Sequence, residues 1–114
     1  MQIIYKSEGL SLKDVVSLTK GNGIKKMSDA KGETLDFAKV VIYEDVDKDG
    51  NPMKVLAVET KDGERYATNS IVFVRNYEEY LEIFKDSEEE MPTVFKVGSG
   101  TSKKGRPFIT CDIV

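Results

Sequence analysis

The sequence predicts a mainly β fold with helices, of the α+β class. Apolar, β-branched segments are joined by two Asp-Gly pairs, which are typical of tight hairpin turns. A later segment repeats apolar residues at helical spacing, and two alternating segments follow it. The length of 114 residues suits one domain over residues 1–114 with a single main core.

The first third of the chain predicts a short strand and a short helix. Met1–Tyr5 is apolar and aromatic, as expected of a strand. Ser11 is placed as an N-cap, and the helix after it ends near Gly21. Its apolar positions are Leu12, Val15, Val16 and Leu18. Residues 24–34 are polar and lysine-rich, which predicts a loop or an edge strand without a buried side.

The middle of the chain predicts a three-stranded meander. Residues 35–44 form a first strand rich in β-branched side chains. The Asp49-Gly50 turn leads to a return strand over 53–60, and the Asp62-Gly63 turn leads to a third strand over 64–68.

The last part of the chain predicts one helix and a final hairpin. Asn69 and Ser70 are cap candidates for a helix over 71–85, which Pro92 prevents from continuing. Its apolar stripe begins at Ile71. Strands over 93–97 and 106–114 flank a glycine-rich turn over 98–105. Alternation places Ile109, Cys111 and Ile113 on one face of the last strand and Phe108 on the other.

This order of elements predicts an OB-like, five-stranded antiparallel barrel. In that fold a helix lies between the third and fourth strands, which is the position of helix 71–85. The N-terminal strand and short helix precede the barrel.

Composition excludes several classes of function. The chain has no histidine and one cysteine, so a histidine-dependent catalytic triad and the usual zinc sites are absent. No set of carboxylates indicates an enzyme, and we expect none. A lone cysteine, the lack of a signal peptide at the N-terminus and the lack of a long apolar run predict a protein of a reducing cytoplasm without a membrane segment.

The charges are distributed unevenly. The net charge is −3, yet the stretch Glu78–Glu90 holds seven acids against one base. From 91 to 111 there are four bases and no acid. Such a chain can bind an anion with one surface despite its negative total charge.

Two segments resemble ligand-binding loops without matching them. Asp45–Asn51 begins like a calcium-binding loop, but the twelfth position is Leu56 where a glutamate is required. Gly98–Lys103 lacks the spacing of a nucleotide-binding phosphate loop. We therefore expect ordinary hairpin turns, with no metal and no cofactor, and a core position for Cys111.

The basic hairpin is the best candidate site. It places Lys103, Lys104 and Arg106 beside Phe108, which is the combination that single-stranded nucleic acid requires. Cations neutralise phosphates in such sites, and aromatic rings stack on bases.

A second candidate surface lies on the first long strand. If Ala38, Val40 and Ile42 face the core, strict alternation places four side chains on the outer face, which are Phe37, Lys39, Val41 and Tyr43. Arg65 and Tyr66 on the third strand extend this surface. Both faces of the strand are apolar, however, so a core position for Phe37 and Tyr43 remains an open alternative.

Two segments and the helix between them resemble a known protein family. Glu59-Thr-Lys-Asp-Gly-Glu-Arg-Tyr-Ala-Thr-Asn-Ser70, the aromatic-rich helix, and Phe95-Lys-Val-Gly-Ser-Gly-Thr-Ser-Lys-Lys-Gly-Arg-Pro-Phe108 follow one another. Together they resemble small single-stranded DNA-binding proteins of phages and mobile elements of Gram-positive bacteria. The resemblance implies an OB-fold, sequence-independent binding of single-stranded DNA, and a role in replication or recombination. The implied binding residues are Phe37, Lys39, Tyr43, Arg65, Tyr66, Lys103, Lys104, Arg106 and Phe108.

Other interpretations use the same residues differently. Single-stranded RNA is an alternative ligand for the same chemistry. A protein-binding inhibitor or adapter from a phage or mobile element would instead use the acidic surface Glu78–Glu90. A homodimer could form through the exposed edge of Met1–Tyr5 or of the last strand.

Overall fold

The computed structural model describes all 114 residues and contains a curled, half-barrel sheet with two α-helices. The elements in chain order are β1 (Gln2–Lys6), α1 (Leu12–Lys20), β2 (Lys25–Lys26), a 3₁₀ turn (Met27–Ala30), β3 (Thr34–Val46), β4 (Pro52–Thr60), β5 (Arg65–Thr68), α2 (Ile71–Phe84), β6 (Val94–Thr101) and β7 (Pro107–Ile113). The predicted α+β class is confirmed. Neither helix has the length and apolar character needed to cross a lipid bilayer.

The strands form one sheet that does not close on itself. Their order is β2-β5-β4-β3-β6-β7, and β1 also pairs with β3. Strand β6 pairs with Thr34–Asp36 at the start of β3, whereas β1 pairs with Val41–Glu44 nearer its end. All pairs are antiparallel except β2 with β5. Since β7 pairs only with β6, it has no ladder with β2 or β5 at the other end of the sheet, and a gap remains there.

Strand β3 is buried on both faces. Val40 and Ile42 point into the main core, and Val41 and Tyr43 belong to a second apolar cluster on the opposite face. Helix α2 covers the first face with Phe73, Val74 and Tyr77. Helix α1 covers the second face with Val15 and Leu18.

Aromatic rings fill the main core around Phe95. The ring centroid of Phe95 lies 5.0 Å from that of Phe37, 5.6 Å from Tyr77 and 6.0 Å from Tyr80. Tilted, edge-on and stacked arrangements at these distances are favourable for aromatic pairs. This packing joins α2 to β3 and β6.

A β-bulge in β3 explains why Phe37 belongs to this core. Phe37 pairs with Thr60 and Lys39 pairs with the next residue, Glu59, so Ala38 has no partner. One extra residue reverses the alternation of side chains before the bulge. Phe37 therefore shares the face of Val40, and the exposed residue is Ala38.

Helix α1 begins and ends as predicted. The Ser11 hydroxyl accepts a hydrogen bond from the backbone N–H of Asp14, and the Asp14 carboxylate accepts one from the N–H of Ser11. This reciprocal capping box satisfies two donors that a helix N-terminus otherwise leaves free. Gly21 is the C-cap, and its N–H donates to the Ser17 carbonyl.

The segment over 24–34 contains the predicted edge strand, β2, but departs from the prediction that it has no buried side. It contributes Met27 and Ala30, which are fully buried in the main core. Its backbone is joined to β6, because Gly32 donates to the Val97 carbonyl and the N–H of Val97 donates to the Glu33 carbonyl. Two buried residues in a single 3₁₀ turn produce no periodicity that a sequence pattern could reveal.

Both Asp-Gly turns are confirmed. Gly50 and Gly63 have φ angles of +81° and +84°, a conformation that glycine adopts without steric cost. The last hairpin is longer than predicted, since its turn spans only 102–106. Cys111 and Ile109 face the core as expected, but Ile113 is 44% exposed at the end of the strand.

Polar side chains of α2 form hydrogen bonds with backbone groups on the unpaired edge of β7. The Asn76 Oδ1 atom accepts from the backbone N–H of Cys111 at 3.2 Å, and the Tyr80 hydroxyl donates to the Cys111 carbonyl at 2.7 Å. A sheet edge treated in this way has fewer groups available for pairing with another chain.

We predict that Asn76→Ala lowers the free energy of unfolding by about 1–3 kcal/mol, because the N–H of Cys111 loses its partner in a part-buried position. Urea unfolding measures the effect. Glu82→Ala, at an exposed position of the same helix, is the control and should change stability by less than about 0.5 kcal/mol. Equal effects of the two substitutions would contradict the role of Asn76.

Candidate nucleic-acid interface

The structure divides the nine sequence-predicted residues into three groups. Phe37 and Tyr66 lie in the main core. Lys39, Tyr43 and Arg65 lie on the outer face of the sheet, in the region that α1 covers. The β6–β7 hairpin carries the other four, which are Lys103, Lys104, Arg106 and Phe108.

Neither Phe37 nor Tyr66 presents its ring to solvent, and for Phe37 the structure shows the core position that the sequence left as an alternative. Phe37 is 3% exposed and Tyr66 is 7% exposed. The bulge at Ala38 turns Phe37 inward. On β5, alternation directs Tyr66 into the core, so Arg65 and Tyr66 belong to opposite faces.

Tyr43 is on the predicted outer face but is not free there. Tyr43 is 9% exposed and belongs to the buried apolar cluster that includes Val15 and Leu18 of α1, so the alternative of a buried position applies to it. Burial also raises the pKa of its hydroxyl. Tyr43 is therefore closed to a ligand while α1 remains in place.

The outer-face cations already have carboxylate partners. The Lys39 Nζ atom lies 3.0 Å from Asp14 Oδ1 and 3.4 Å from Glu59 Oε2. The Arg65 Nε atom donates to Glu59 Oε1 at 3.2 Å. The hydrogen bond from Lys39 is the main cause that lowers the pKa of Asp14, and the same bond raises the pKa of Lys39.

The hairpin cations, in contrast, are exposed and unpaired. Lys103, Lys104 and Arg106 form none of the ion pairs of the molecule. The turn that presents them is well formed, since the N–H of Ser102 donates to the Arg106 carbonyl and the N–H of Arg106 donates to the Ser102 hydroxyl. Three positive charges thus stand together at the tip without a counter-charge from the protein.

Phe108 lies across a glycine of the facing strand. Gly100 is its partner in the β6–β7 register. A Cβ atom on Gly100 would stand 2.6 Å from Phe108 Cζ, so the ring fills the space that a side chain at position 100 would need. The glycine-rich sequence predicted only a turn. In the structure, the lack of a side chain at Gly100 leaves room for the Phe108 ring beside the basic tip.

A groove of about 610 Å³ adjoins Phe108 at the gap between β5 and β7. Its lining includes Ser28, Lys31, Asn69 and Ile71. Lys31 is exposed and forms no ion pair, and it adds a fourth free cation near the aromatic ring.

Sequence reasoning missed these groove residues. Ile71 was expected in the buried stripe of its helix but is 79% exposed. Lys31 and Asn69 come from segments that carry no pattern of their own. Only the fold brings them together with Phe108.

The remaining motifs have structural explanations. The Asp47 Oδ1 atom accepts from the N–H groups of Asp49 and Asn51, both at 2.9 Å, so this carboxylate organises a hairpin turn. No group of three or more acidic, cysteine or histidine side chains converges in a way that could hold a metal ion. Burial raises the pKa of the Cys111 thiol to about 12, which disfavours the reactive thiolate.

The acidic stretch divides into two parts. Glu78 on α2 pairs with Lys54, with a shortest distance of 3.1 Å. Residues 85–90 follow the helix and are all exposed.

Comparison with protein-family models, with curated proteins and with solved structures found no match.

We predict a pH-dependent role for Asp14 in stability. Because its folded-state pKa lies below the ordinary value of 3.8, the carboxylate stabilises the fold above that pH and loses the effect as the pH falls through the folded-state pKa. Asp14→Asn should therefore lower the urea midpoint at about pH 7 and approach the wild type in strong acid.

Urea unfolding over a series of pH values checks this prediction. Asp62→Asn removes the same charge from an exposed turn without an ion pair and is the control. A difference between Asp14→Asn and the wild type that stayed constant with pH would contradict it.

Proposed function

We propose that this protein is a non-enzymatic, sequence-independent binder of single-stranded DNA. The observation that carries the proposal is the cluster of unpaired cations on the β6–β7 hairpin, next to a half-buried phenylalanine and an open groove. The family resemblance supports a role in phage or plasmid DNA replication or recombination, in the cytoplasm of a bacterial host.

The element order supports an OB-like barrel as the scaffold. Strands β3, β4 and β5 form the meander, α2 follows, and β6 and β7 form the last hairpin. In this interpretation β1, α1 and β2 are additions, and the groove lies where the fifth barrel strand would approach the third.

Electrostatics provides the first part of the mechanism. Lys103, Lys104 and Arg106 have no internal partners, so they lose no ion pair when they bind phosphates. Each phosphate that they neutralise releases counterions, which makes binding strongly salt-dependent. Lys31 extends the positive path along the groove.

Stacking provides the second part. Every base has a π face, so a ring binds bases with little regard for sequence, and each stacked base contributes roughly 1–3 kcal/mol. Phe108 is the one ring of the predicted set that is both near the free cations and part of an open groove. The exposed side chain of Ile71 adds apolar surface at the same groove.

We predict that Lys103→Glu combined with Lys104→Glu weakens binding of a labelled poly-dT oligonucleotide by about tenfold or more, because two phosphate contacts become repulsive. Fluorescence anisotropy at two salt concentrations measures the affinity. The double variant should keep the unfolding midpoint of the wild type, since neither lysine contacts another side chain through an ion pair or hydrogen bond.

The matched control is Lys48→Glu combined with Lys85→Glu. It produces the same net charge at two exposed sites, the β3–β4 turn and the end of α2. Unchanged affinity in the hairpin variant would exclude the hairpin from the site. Absence of binding by the wild type at low salt would refute the proposed function and direct attention to a protein partner for the acidic surface Glu78–Glu90.

We further predict that the ring at position 108 is needed for its π face. Phe108→Leu keeps an apolar side chain but removes the face, and it should weaken poly-dT binding about fivefold or more. Phe108→Tyr retains the face and should bind within about twofold of the wild type. Anisotropy titration of the two variants separates stacking from simple hydrophobic contact, and equal losses in both would contradict stacking.

A further inference from the structure

Helix α1 is a small cover on the outer face of the sheet. It has nine residues, of which only Val15 and Leu18 are buried. On its other side Leu12 is 77% exposed and Val16 is 58% exposed. The helix therefore has a modest apolar contact with β3 and β4.

The surface under α1 resembles the hairpin site in its chemistry. It contains the ring of Tyr43 and the cations Lys39 and Arg65. The difference is that Asp14, which belongs to α1, and Glu59 neutralise these cations. A helix carboxylate thus pairs with Lys39, and Tyr43 belongs to the same buried apolar cluster as Val15 and Leu18 of the helix.

We propose that α1 is a displaceable cover. In the closed state the Asp14 carboxylate pairs with Lys39, and when the cover opens a DNA phosphate takes the place of that carboxylate. Single-stranded DNA bound at the hairpin competes with α1 for this face and uncovers Tyr43. This inference rests on the proposed function.

The local backbone permits such a movement. Gly9 precedes α1 with a φ of +83°, and Gly23 follows it with a φ of +76°. Because β1 remains paired with β3, the helix stays tethered at its N-terminal side after it leaves the sheet. Glycine-containing segments on both sides allow the chain to change direction there.

The exchange of partners is balanced in charge. Lys39 gives up one carboxylate and accepts one phosphate, while Arg65 keeps its hydrogen bond to Glu59. The exposure of Val15 and Leu18 opposes opening, and stacking of a base on Tyr43 favours it. An isolated helix of this length is unstable in water, so α1 should unfold when it leaves the sheet.

Hydrogen exchange tests this directly on the full chain. With a thirty-nucleotide poly-dT strand, the amides of α1 should exchange faster than in the free protein. The amides over 77–84 of α2, which packs on the opposite face and runs away from the groove at Ile71, should be unchanged and act as the internal control. Unchanged or slower exchange in α1 in the bound protein would overturn the inference.

The affinity for poly-dT tests the inference independently of hydrogen exchange. Asp14→Asn should strengthen poly-dT binding about two- to fivefold, the range that corresponds to one surface ion pair. Asp62→Asn makes the same charge change in the β4–β5 turn and should have less effect. Equal changes in the two variants would show that only net charge matters and would overturn the inference.

Salt dependence shows whether Lys39 touches a phosphate. In the Asp14→Asn background, Lys39→Gln should reduce the slope of log affinity against log salt by about 0.7, the value for one phosphate on a single strand. A purely structural lysine would leave the slope unchanged, and that result would overturn the inference. If the wild-type protein fails to bind poly-dT at all, the proposed function falls together with the inference. If it binds and the α1 results are negative, only the inference falls.

Discussion

Burial of both faces of β3 is the constraint on which the rest of the structure depends. Val40 and Ile42 require one apolar cover, and Val41 and Tyr43 require another. Helix α2 provides the first and closes the main core. Helix α1 provides the second with a smaller contact, made through Val15 and Leu18. A barrel strand with one polar face would have left its outer surface open to a ligand.

Local signals made most of the fold predictable. The caps at Ser11 and Ser70 and the turns at Gly50 and Gly63 depend on neighbouring residues, and the structure contains all four. The bulge at Ala38 depends on pairing with β4 and has no local signature. Since one inserted residue reverses the facing of side chains, the alternation rule failed for Phe37 although the strand itself was correctly located.

The candidate site shows the same division between local and long-range information. The tip with Lys103, Lys104 and Arg106 is continuous in sequence, so its composition was visible. Asp14, one of the two carboxylate partners of Lys39, lies 25 residues away on another element, and only the fold shows that this lysine is already neutralised. The groove needs Lys31 and Ile71 from segments that the sequence does not connect. Aromatic and basic residues alone therefore could not distinguish an open surface from a closed one.

The pairing of charges, more than their sum, determines where a polyanion can bind. The chain is acidic overall, but Asp14 and Glu59 act locally on Lys39 and Arg65. The hairpin has no such acids. The electric field of its cations therefore acts on anions in solvent up to about one Debye length away. A protein with a negative net charge can thus carry one edge that attracts anions, while its carboxylates pair with the cations elsewhere on its surface. In the proposed function this arrangement would order the encounter, because a DNA strand would meet the free cations of the hairpin before the paired cations under α1 could exchange their partners.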